Sequence, residues 1–338
     1  MSSPIRLMHC DLNWTSEGVA APHDWAFIDP EEYFNWHVKF GTNVMYCQAI
    51  IHCGAAFYPT ELGPTAPGQG RDLFPQLYEL ATTAGFPTWS YMCVGADLMV
   101  GRTRRGWLVP EARELCFEFL GPESGWTDLL CERIREFLGL YPVDWMLFDF
   151  LVYGGLKPNE FQIRPAPFVA EPFESIIGRP MPDRAEDITP EENLRYKREV
   201  LAEQFYSIRN AVKETSPTTK IMFNVPYWEA NEALWNDHPM MRESDGLFAE
   251  CSKSEIVDWL LEVRQPHQRV MCTILGRSGD HCDPNAWQHW YKKGCDFFGY
   301  AWGTPPDFRP QPQYKEGLEI VREAFRQIER DNVNDASH

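Results

Sequence analysis

The run Val143-Asp144-Trp145-Met146-Leu147-Phe148-Asp149 decides the fold, because it predicts a buried β-strand that ends on a carboxylate. Seven further apolar runs have the same form, and segments with helical patterns separate them. The eight runs are Ile5–Cys10, Asn43–Ile51, Pro87–Val94, Val143–Phe150, Lys220–Val225, Gly246–Glu250, Arg269–Leu275 and Cys295–Trp302. Eight strands that alternate with helices predict either a closed (β/α)8 barrel or an open doubly wound sheet.

The segments between the runs begin like helices. Asp29–Glu32 and Thr189–Glu192 each place a capping side chain before a proline, with two acids in the first turn. The second start leads into an apolar stripe at helical spacing, formed by Leu194, Leu201, Phe205, Ile208 and Val212. No glycine-rich nucleotide loop follows the first run, and polar residues end nearly every run. We therefore predict the closed barrel, an α/β TIM-barrel fold.

Two loops are longer than a minimal barrel needs. They span residues 95–124 after the third run and residues 154–187 after the fourth. Loops of about 30 residues in a compact domain usually form lids or interfaces, so a homo-oligomer stays open. We predict one catalytic domain over residues 1–331 and a disordered tail over residues 332–338.

Composition and charge bear on partners and location. A formal net charge of −18 argues against binding to nucleic acid or to an anionic membrane surface. No stretch approaches 18 consecutive apolar residues, and residues 1–6 lack the pattern of a signal peptide. The ten cysteines show no CxxC spacing, which is typical of reduced, buried thiols. We therefore predict a cytoplasmic protein without nucleic-acid or membrane partners.

Polar and aromatic residues follow the predicted strands at their carboxyl ends, which meet at one mouth in a barrel. Asp149 and Glu250 are the predicted catalytic residues. The predicted substrate-binding residues are His9, Asp11, Asn13, Trp14, His52, Tyr58, Tyr91, Asp97, Tyr153, Asn224, Tyr227, Trp228, Arg277, His281 and Trp302. Rings at such positions can stack on a sugar, while the Asn, His and Arg side chains bind its hydroxyls.

Paired-carboxylate chemistry explains the two acids best. Asp149 ends the fourth run and Glu250 ends the sixth, so their side chains can face each other across the mouth. One carboxylate would attack an anomeric carbon, and the other would donate and then recover a proton. The structural alternatives are an Asp149 that caps a turn and a Glu250 that pairs with a cation at the rim. We favour a glycosidase that acts on a small glycoside or oligosaccharide.

A metal site is the main chemical alternative. His9 and Asp11 lie two residues apart on a strand and point to the same side, so they could share a metal with His52, Glu250 or His281. A metal-dependent isomerase, lyase or amidohydrolase would use this set. No His-x-His motif occurs, so we predict no metal and no other cofactor, with His9 and Asp11 binding sugar hydroxyls. A non-catalytic carbohydrate-binding barrel is the third hypothesis.

Several segments of the first half carry a family resemblance. They are Tyr58–Gly68, Arg71–Leu73, Gly85–Tyr91, Val94–Asp97, Gly125–Trp126 and Val143–Asp149, together with His9–Asp11. Over roughly residues 5–150 the chain resembles the hypothetical glycosyl hydrolase family 6 group, which is similar to the α-L-fucosidase clan of retaining glycosidases. The resemblance implies that Asp149 is the nucleophile. Glu250 as acid/base is our own inference from its place at a strand end.

The chain departs from the family pattern in two places. Members of the group often carry further C-terminal domains, whereas this sequence ends with its eighth helix. Fucosidases also tend to have glycine directly after the nucleophile, where this chain has Phe150.

Overall fold

A parallel eight-stranded sheet forms the centre of the computed structural model, which describes residues 3–12, 14–15, 18–19, 25–114, 117–155, 161–225, 232–250, 254–275, 284–302 and 312–335. The strands are β1 Arg6–Asp11, β2 Met45–Ile50, β3 Thr88–Cys93, β4 Trp145–Asp149, β5 Lys220–Asn224, β6 Gly246–Ala249, β7 Arg269–Leu275 and β8 Asp296–Trp302. Each strand lies within one of the eight apolar runs or extends it by one residue. The prediction of a TIM barrel is confirmed.

The strand order shows how the barrel closes. Hydrogen-bonded neighbours follow the order β1-β8-β7-β6-β5-β4-β3-β2, and every pairing is parallel. Side chains help to bridge the remaining seam between β1 and β2. Asn43 Oδ1 accepts from the Arg6 amide at 2.7 Å, and Gln48 Oε1 accepts from the Leu12 amide at 2.7 Å. The carboxyl ends of all eight strands therefore surround one mouth.

Helices surround the sheet. They are α1 Pro30–Phe40, α2 Leu73–Thr83, α3 Leu98–Thr103, α4 Trp126–Leu140, α5 Pro167–Ile177, α6 Pro190–Thr215, α7 Glu232–Trp235, α8 Pro239–Glu243, α9 Ser254–Val263, α10 Pro284–Lys292 and α11 Pro312–Asp335. Asp29 caps α1 as predicted, and Thr189 forms a capping box with Glu192 at the start of α6. The α6 stripe packs inward, with four of its five residues buried and Leu194 partly buried.

Aromatic side chains fill the inside of the barrel beneath the mouth. The His9 ring lies 5.1 Å from the Tyr46 ring and 5.1 Å from the Phe298 ring. Phe298 in turn lies 4.5 Å from Phe248 across the barrel. Burial of one such ring stabilises the fold by about 1.5–3 kcal/mol. This layer closes the barrel from below and supports the polar side chains at the strand ends.

The long loops carry structure of their own. Residues 95–124 contain α3 and an antiparallel hairpin of Leu108–Glu114 with Phe117–Leu120. The described part of residues 154–187 contains α5, and a short hairpin of Trp14–Thr15 with Gly18–Val19 follows β1. All three segments follow strands at their carboxyl ends, so they border the mouth.

The C-terminal helix extends into the predicted tail. Helix α11 continues through Asp335 and so includes residues 332–335. Side-chain contacts support this end of the helix, since Gln327 donates to Asp331 at 2.7 Å and Asn332 to Ser3 at 3.3 Å. Residues 336–338 lie outside the described residues. Among the helices that the structure describes, none is both long and apolar enough to cross a membrane.

Candidate active site

Asn224 joins the two predicted catalytic acids at the mouth. Its Nδ2 atom donates to Asp149 Oδ1 at 2.8 Å and to Glu250 Oε2 at 2.8 Å. Asp149 is the last residue of β4, Asn224 is the last of β5, and Glu250 directly follows β6. Because both oxygens bond to one nitrogen, they lie within about 5.6 Å of each other, close to the separation in retaining glycosidases.

Three donors surround the Asp149 carboxylate, which is buried. Besides Asn224, the Tyr91 hydroxyl donates to Oδ2 at 2.9 Å and the Phe150 amide donates to Oδ1 at 2.7 Å. Hydrogen bonds of this kind stabilise an ionised carboxylate and fix its orientation. These three donors hold the Asp149 carboxyl group in one orientation.

Glu250 lies in a different electrostatic environment. Burial is the largest cause that raises its pKa well above the usual range, and the negative charges of Asp149 and Asp11 add to it. The hydrogen bond from Asn224 opposes the shift without cancelling it. Glu250 therefore favours the protonated form.

The backbone after Asp149 is strained. Phe150 has φ +56°, in the left-handed region that favours glycine. The chain fits here because Gly95 faces it, since a Cβ atom on Gly95 would lie 2.4 Å from the Phe150 carbonyl oxygen. The conformation turns the Phe150 amide onto the Asp149 carboxylate. Strain at this residue accompanies the orientation of the acid.

His52 supports Tyr91 from behind. Its Nε2 atom lies 3.2 Å from the Tyr91 hydroxyl, whose single proton is donated to Asp149. The contact therefore requires His52 to donate through Nε2. Burial lowers the pKa of His52, although the charge of Asp149 opposes the shift. The pattern is a chain of donors from His52 through Tyr91 to Asp149.

Asp11 forms a second acidic group, on β1. The Tyr300 hydroxyl donates to its Oδ2 atom, and His9 Nε2 lies 3.5 Å from its Oδ1 atom. His9 and Asp11 therefore share one face of β1 as predicted. Tyr300 reaches them from β8, whose register places it beside His9.

Three buried polar atoms on β1 and β2 have no hydrogen-bond partner among the residues that the structure describes. They are Tyr46 Oη, Gln48 Nε2 and His9 Nδ1. Tyr46, Gln48 and Tyr300 were not predicted as site residues. One signal was present in the sequence, because an amide at Gln48 inside the apolar run 43–51 is costly to bury without a function.

Three predicted substrate-binding residues point to other partners. Asp97 caps α3 through the Val100 amide at 2.8 Å and pairs with buried Arg133 at 2.7 Å. The Tyr58 hydroxyl donates to Glu136 on α4 at 3.1 Å. Tyr153 packs on Tyr196, with the ring centroids 5.9 Å apart. The described contacts of Asp97, Tyr58 and Tyr153 therefore secure loops to the outer helices and do not join the Asp149 cluster.

The remaining predicted residues cannot be placed by their side chains. Asn13, Tyr227, Trp228, Arg277 and His281 lie outside the described residues. Trp14 and Trp302 are described as strand residues without a description of their side chains. Within the described ranges, no group of three His, Cys, Asp or Glu side chains has a geometry suited to a metal ion.

Comparison with known proteins adds a likeness of fold. No protein-family model matches the chain, and no curated protein matches it. Among solved structures, α-L-fucosidase isoenzyme 2 from Paenibacillus thiaminolyticus superposes with a TM-score of 0.74 at 15% identity, over 98% of this chain and 50% of that one. An α-L-fucosidase from Lactobacillus casei in complex with α-L-fucose gives a TM-score of 0.47 at 13% identity, over 96% and 95%.

The first likeness shows a shared fold. This chain spans about half the length of the Paenibacillus enzyme. The fucosidase-like barrel expected from the sequence is thereby confirmed. The resemblance to the hypothetical glycosyl hydrolase family 6 group stays a prediction.

Proposed function

We propose that this protein is a retaining glycosidase with Asp149 as nucleophile and Glu250 as acid/base. One observation carries the proposal: a single Asn224 amide group holds both carboxyl groups at a separation suited to double displacement. An inverting enzyme needs room for a water between its acids, about 6.5–9.5 Å, and the two oxygens that share Asn224 are closer together than this.

The environments of the two acids match these roles. Asp149 would attack the anomeric carbon as an oriented anion, and the proton on Glu250 would pass to the leaving oxygen. Glu250 would then take a proton from the water that hydrolyses the glycosyl ester, which returns both groups to their starting states. Asn224 and Tyr91 would position the nucleophile throughout.

We propose a small glycoside or oligosaccharide as substrate and residues 1–331 as one catalytic domain. The pairing of β1 with β8 supports the second point, because the first and last strands complete one sheet. The fold shared with an α-L-fucosidase makes an aryl α-L-fucoside the first substrate to test.

The test is a panel of aryl glycosides that covers both anomers of common neutral sugars and uronic acids. We expect one neutral glycoside to be hydrolysed, with the first-formed sugar, followed by NMR, retaining the anomeric configuration of the substrate. The same preparation after exhaustive treatment with a chelator should keep its rate. A first product of opposite configuration would refute double displacement, and no hydrolysis across the panel would refute the glycosidase itself.

A further inference from the structure

The β1 and β2 side of the mouth contains an unusual set of buried polar atoms. Tyr46 and Gln48 are each 1% exposed and His9 is 4% exposed, yet Tyr46 Oη, Gln48 Nε2 and His9 Nδ1 have no hydrogen-bond partner within the described ranges. We refer to these three atoms as the unpaired set. A buried donor or acceptor without a partner costs about 1–3 kcal/mol. Three on neighbouring strands therefore form a concentrated destabilising feature.

Tyr46 lies inside the barrel beside His9. Its ring contacts His9 at 5.1 Å and Phe298 at 5.9 Å inside the barrel. Burial, and then the charges of Asp11 and Asp149, raise the pKa of Tyr46 well above its usual range, and Glu250 contributes as well. The hydroxyl thus stays protonated and is able to donate a hydrogen bond.

Gln48 shows that the set is oriented by the fold. Its Oε1 atom accepts a hydrogen bond from the Leu12 amide at 2.7 Å, which holds the side chain in place. Its Nε2 atom has no partner among the described residues and can donate to a ligand. Gln48 and Tyr46 lie two residues apart on β2, so both belong to the same face of the strand. His9 is the neighbour of Tyr46 on β1. Held donors of this kind are suited to a ligand that supplies the missing partners.

We propose that Tyr46 is a further substrate-contacting residue, whose hydroxyl, together with Gln48 Nε2, binds a ring hydroxyl of a neutral glycone. The inference rests on the proposed glycosidase function and adds the side of the mouth that recognises the sugar. A sugar hydroxyl can accept from Gln48 Nε2 and exchange a hydrogen bond with Tyr46. The carboxylates of Asp11 and Asp149 disfavour an anionic sugar at this place.

The central experiment compares Tyr46→Phe with the native enzyme on the glycoside that the panel identifies. We expect kcat/KM to fall about 10–100-fold, because the substrate hydroxyl loses a partner in the closed site. The melting temperature of the free enzyme should rise by about 1–3 °C, because the variant removes a buried hydroxyl that has no partner. The opposite signs distinguish a binding role from a structural role.

Monodeoxy analogues of the same glycoside identify the contact. With the native enzyme, one deoxy analogue should have a kcat/KM about tenfold lower than that of the parent glycoside. With Tyr46→Phe, the same analogue and the parent glycoside should have nearly equal kcat/KM. The other deoxy analogues should lose the same factor on both enzymes. Aryl uronides should react at least about tenfold more slowly than the neutral glycoside on the native enzyme.

The matched control is Tyr33→Phe. Tyr33 is a buried tyrosine on α1 that interacts with Cys10, on the outer face of β1. This variant should leave kcat/KM unchanged. It therefore reports what the loss of a buried tyrosine hydroxyl does outside the mouth.

Each outcome has one meaning. Unchanged kcat/KM in Tyr46→Phe, additive effects for every deoxy analogue or a lowered melting temperature would overturn the inference while native hydrolysis upholds the glycosidase. Faster reaction with a uronide than with any neutral glycoside would overturn the neutral class. A native enzyme that hydrolyses nothing in the panel would refute the proposed function and this inference together.

Discussion

The two sides of the barrel mouth differ in how their polar atoms are satisfied. On the β4–β6 side, Asp149 receives three hydrogen bonds and shares the Asn224 amide with Glu250. In the described part of the chain, that side leaves Asn224 Oδ1 without a partner. On the β1–β2 side, the described residues provide no partner for Tyr46 Oη, Gln48 Nε2 or His9 Nδ1, although the neighbouring Asp11 accepts from Tyr300.

This difference in hydrogen bonding is expected between catalytic groups and groups that bind the substrate. A carboxylate that must attack or donate a proton needs its orientation and charge fixed before substrate binds, which takes internal hydrogen bonds. Groups that bind hydroxyls must keep their hydrogen-bonding capacity for the ligand. On the β4–β6 side, the polar atoms would therefore hydrogen-bond to one another. On the β1–β2 side, they would stay available to hydrogen-bond to a ligand.

Removal of the proposed nucleophile should give the largest loss of activity. A small loss would contradict the reacting role of the β4–β6 side. We expect Asp149→Ala to lower kcat/KM by at least about 10³-fold, because no other described group is placed to attack in its stead. Sodium azide should restore turnover and yield a glycosyl azide of inverted configuration, which a product assay by NMR detects.

Asp144→Asn is the control for that variant. Asp144 precedes β4 at the opposite end of the barrel, where its carboxylate accepts from the Thr88 amide at 2.7 Å. An amide oxygen can keep this bond, so kcat/KM should stay at the native value. Full turnover in Asp149→Ala would remove it as nucleophile.

Loss of the acid should give the next largest effect. We expect Glu250→Gln to lower kcat/KM by about 10²-fold for a phenyl glycoside and less for a dinitrophenyl glycoside, which needs no proton. Because the folded pKa of Glu250 is raised, the native enzyme should stay active above the usual Glu range and lose activity as pH rises through that pKa.

The pH profile of the variant completes this test. Glu250→Gln should lack the alkaline fall in kcat/KM that the native enzyme shows, since the titrating acid is gone. An identical alkaline limb in both enzymes would assign the proton to another group.

Removing the hydroxyl from a tyrosine that donates a hydrogen bond tests the comparison through the free energy of unfolding. Tyr91 donates to Asp149 and Tyr300 donates to Asp11, so Tyr91→Phe and Tyr300→Phe each leave a buried carboxylate with one donor fewer. We expect each to lower the free energy of unfolding by about 1–3 kcal/mol in urea titrations. Tyr46→Phe is expected to raise the free energy of unfolding. A decrease in all three variants would show that the two sides of the mouth do not differ in this way.

The backbone strain at Phe150 should give the smallest effect. At φ +56°, the left-handed backbone is unfavourable for alanine but not for glycine. Phe150→Gly should therefore be about 1 kcal/mol more stable than Phe150→Ala. Both variants lose the same ring, whose contact with His52 is 5.0 Å, so this loss cancels in the pair. Urea titration of the two variants measures the difference, and an advantage for alanine would show that the residue is unstrained.

Much of the site was predictable where one strand alone determines it. The end of an apolar run fixes where a strand stops, so Asp149 and Glu250 could be placed at the mouth from the sequence. The pairing of His9 with Asp11 followed from the alternation of side chains along one strand. The helix caps at Asp29 and Thr189 are equally local, because a cap is made within about four residues.

Other features depended on contacts between distant parts of the chain. Asp97 and Tyr58 follow strands like true site residues, yet Arg133 and Glu136 of α4 bind them. Tyr300 bonds Asp11 because β8 closes on β1, a pairing across 289 positions. No local pattern contains the partner in such cases.

The sequence by itself determined the eight strands, the order of helix and strand, and the acids at two strand ends, because burial periodicity and capping act over short stretches of chain. Only the tertiary structure decided which polar atoms share one site. The pairing of β5 with β4 and β6 brought Asn224 between Asp149 and Glu250. On β2, the described residues left the Tyr46 hydroxyl without a partner. The physical reason is that hydrogen bonds are short and directional, so their pairing is set by the meeting of strands that the sequence keeps far apart.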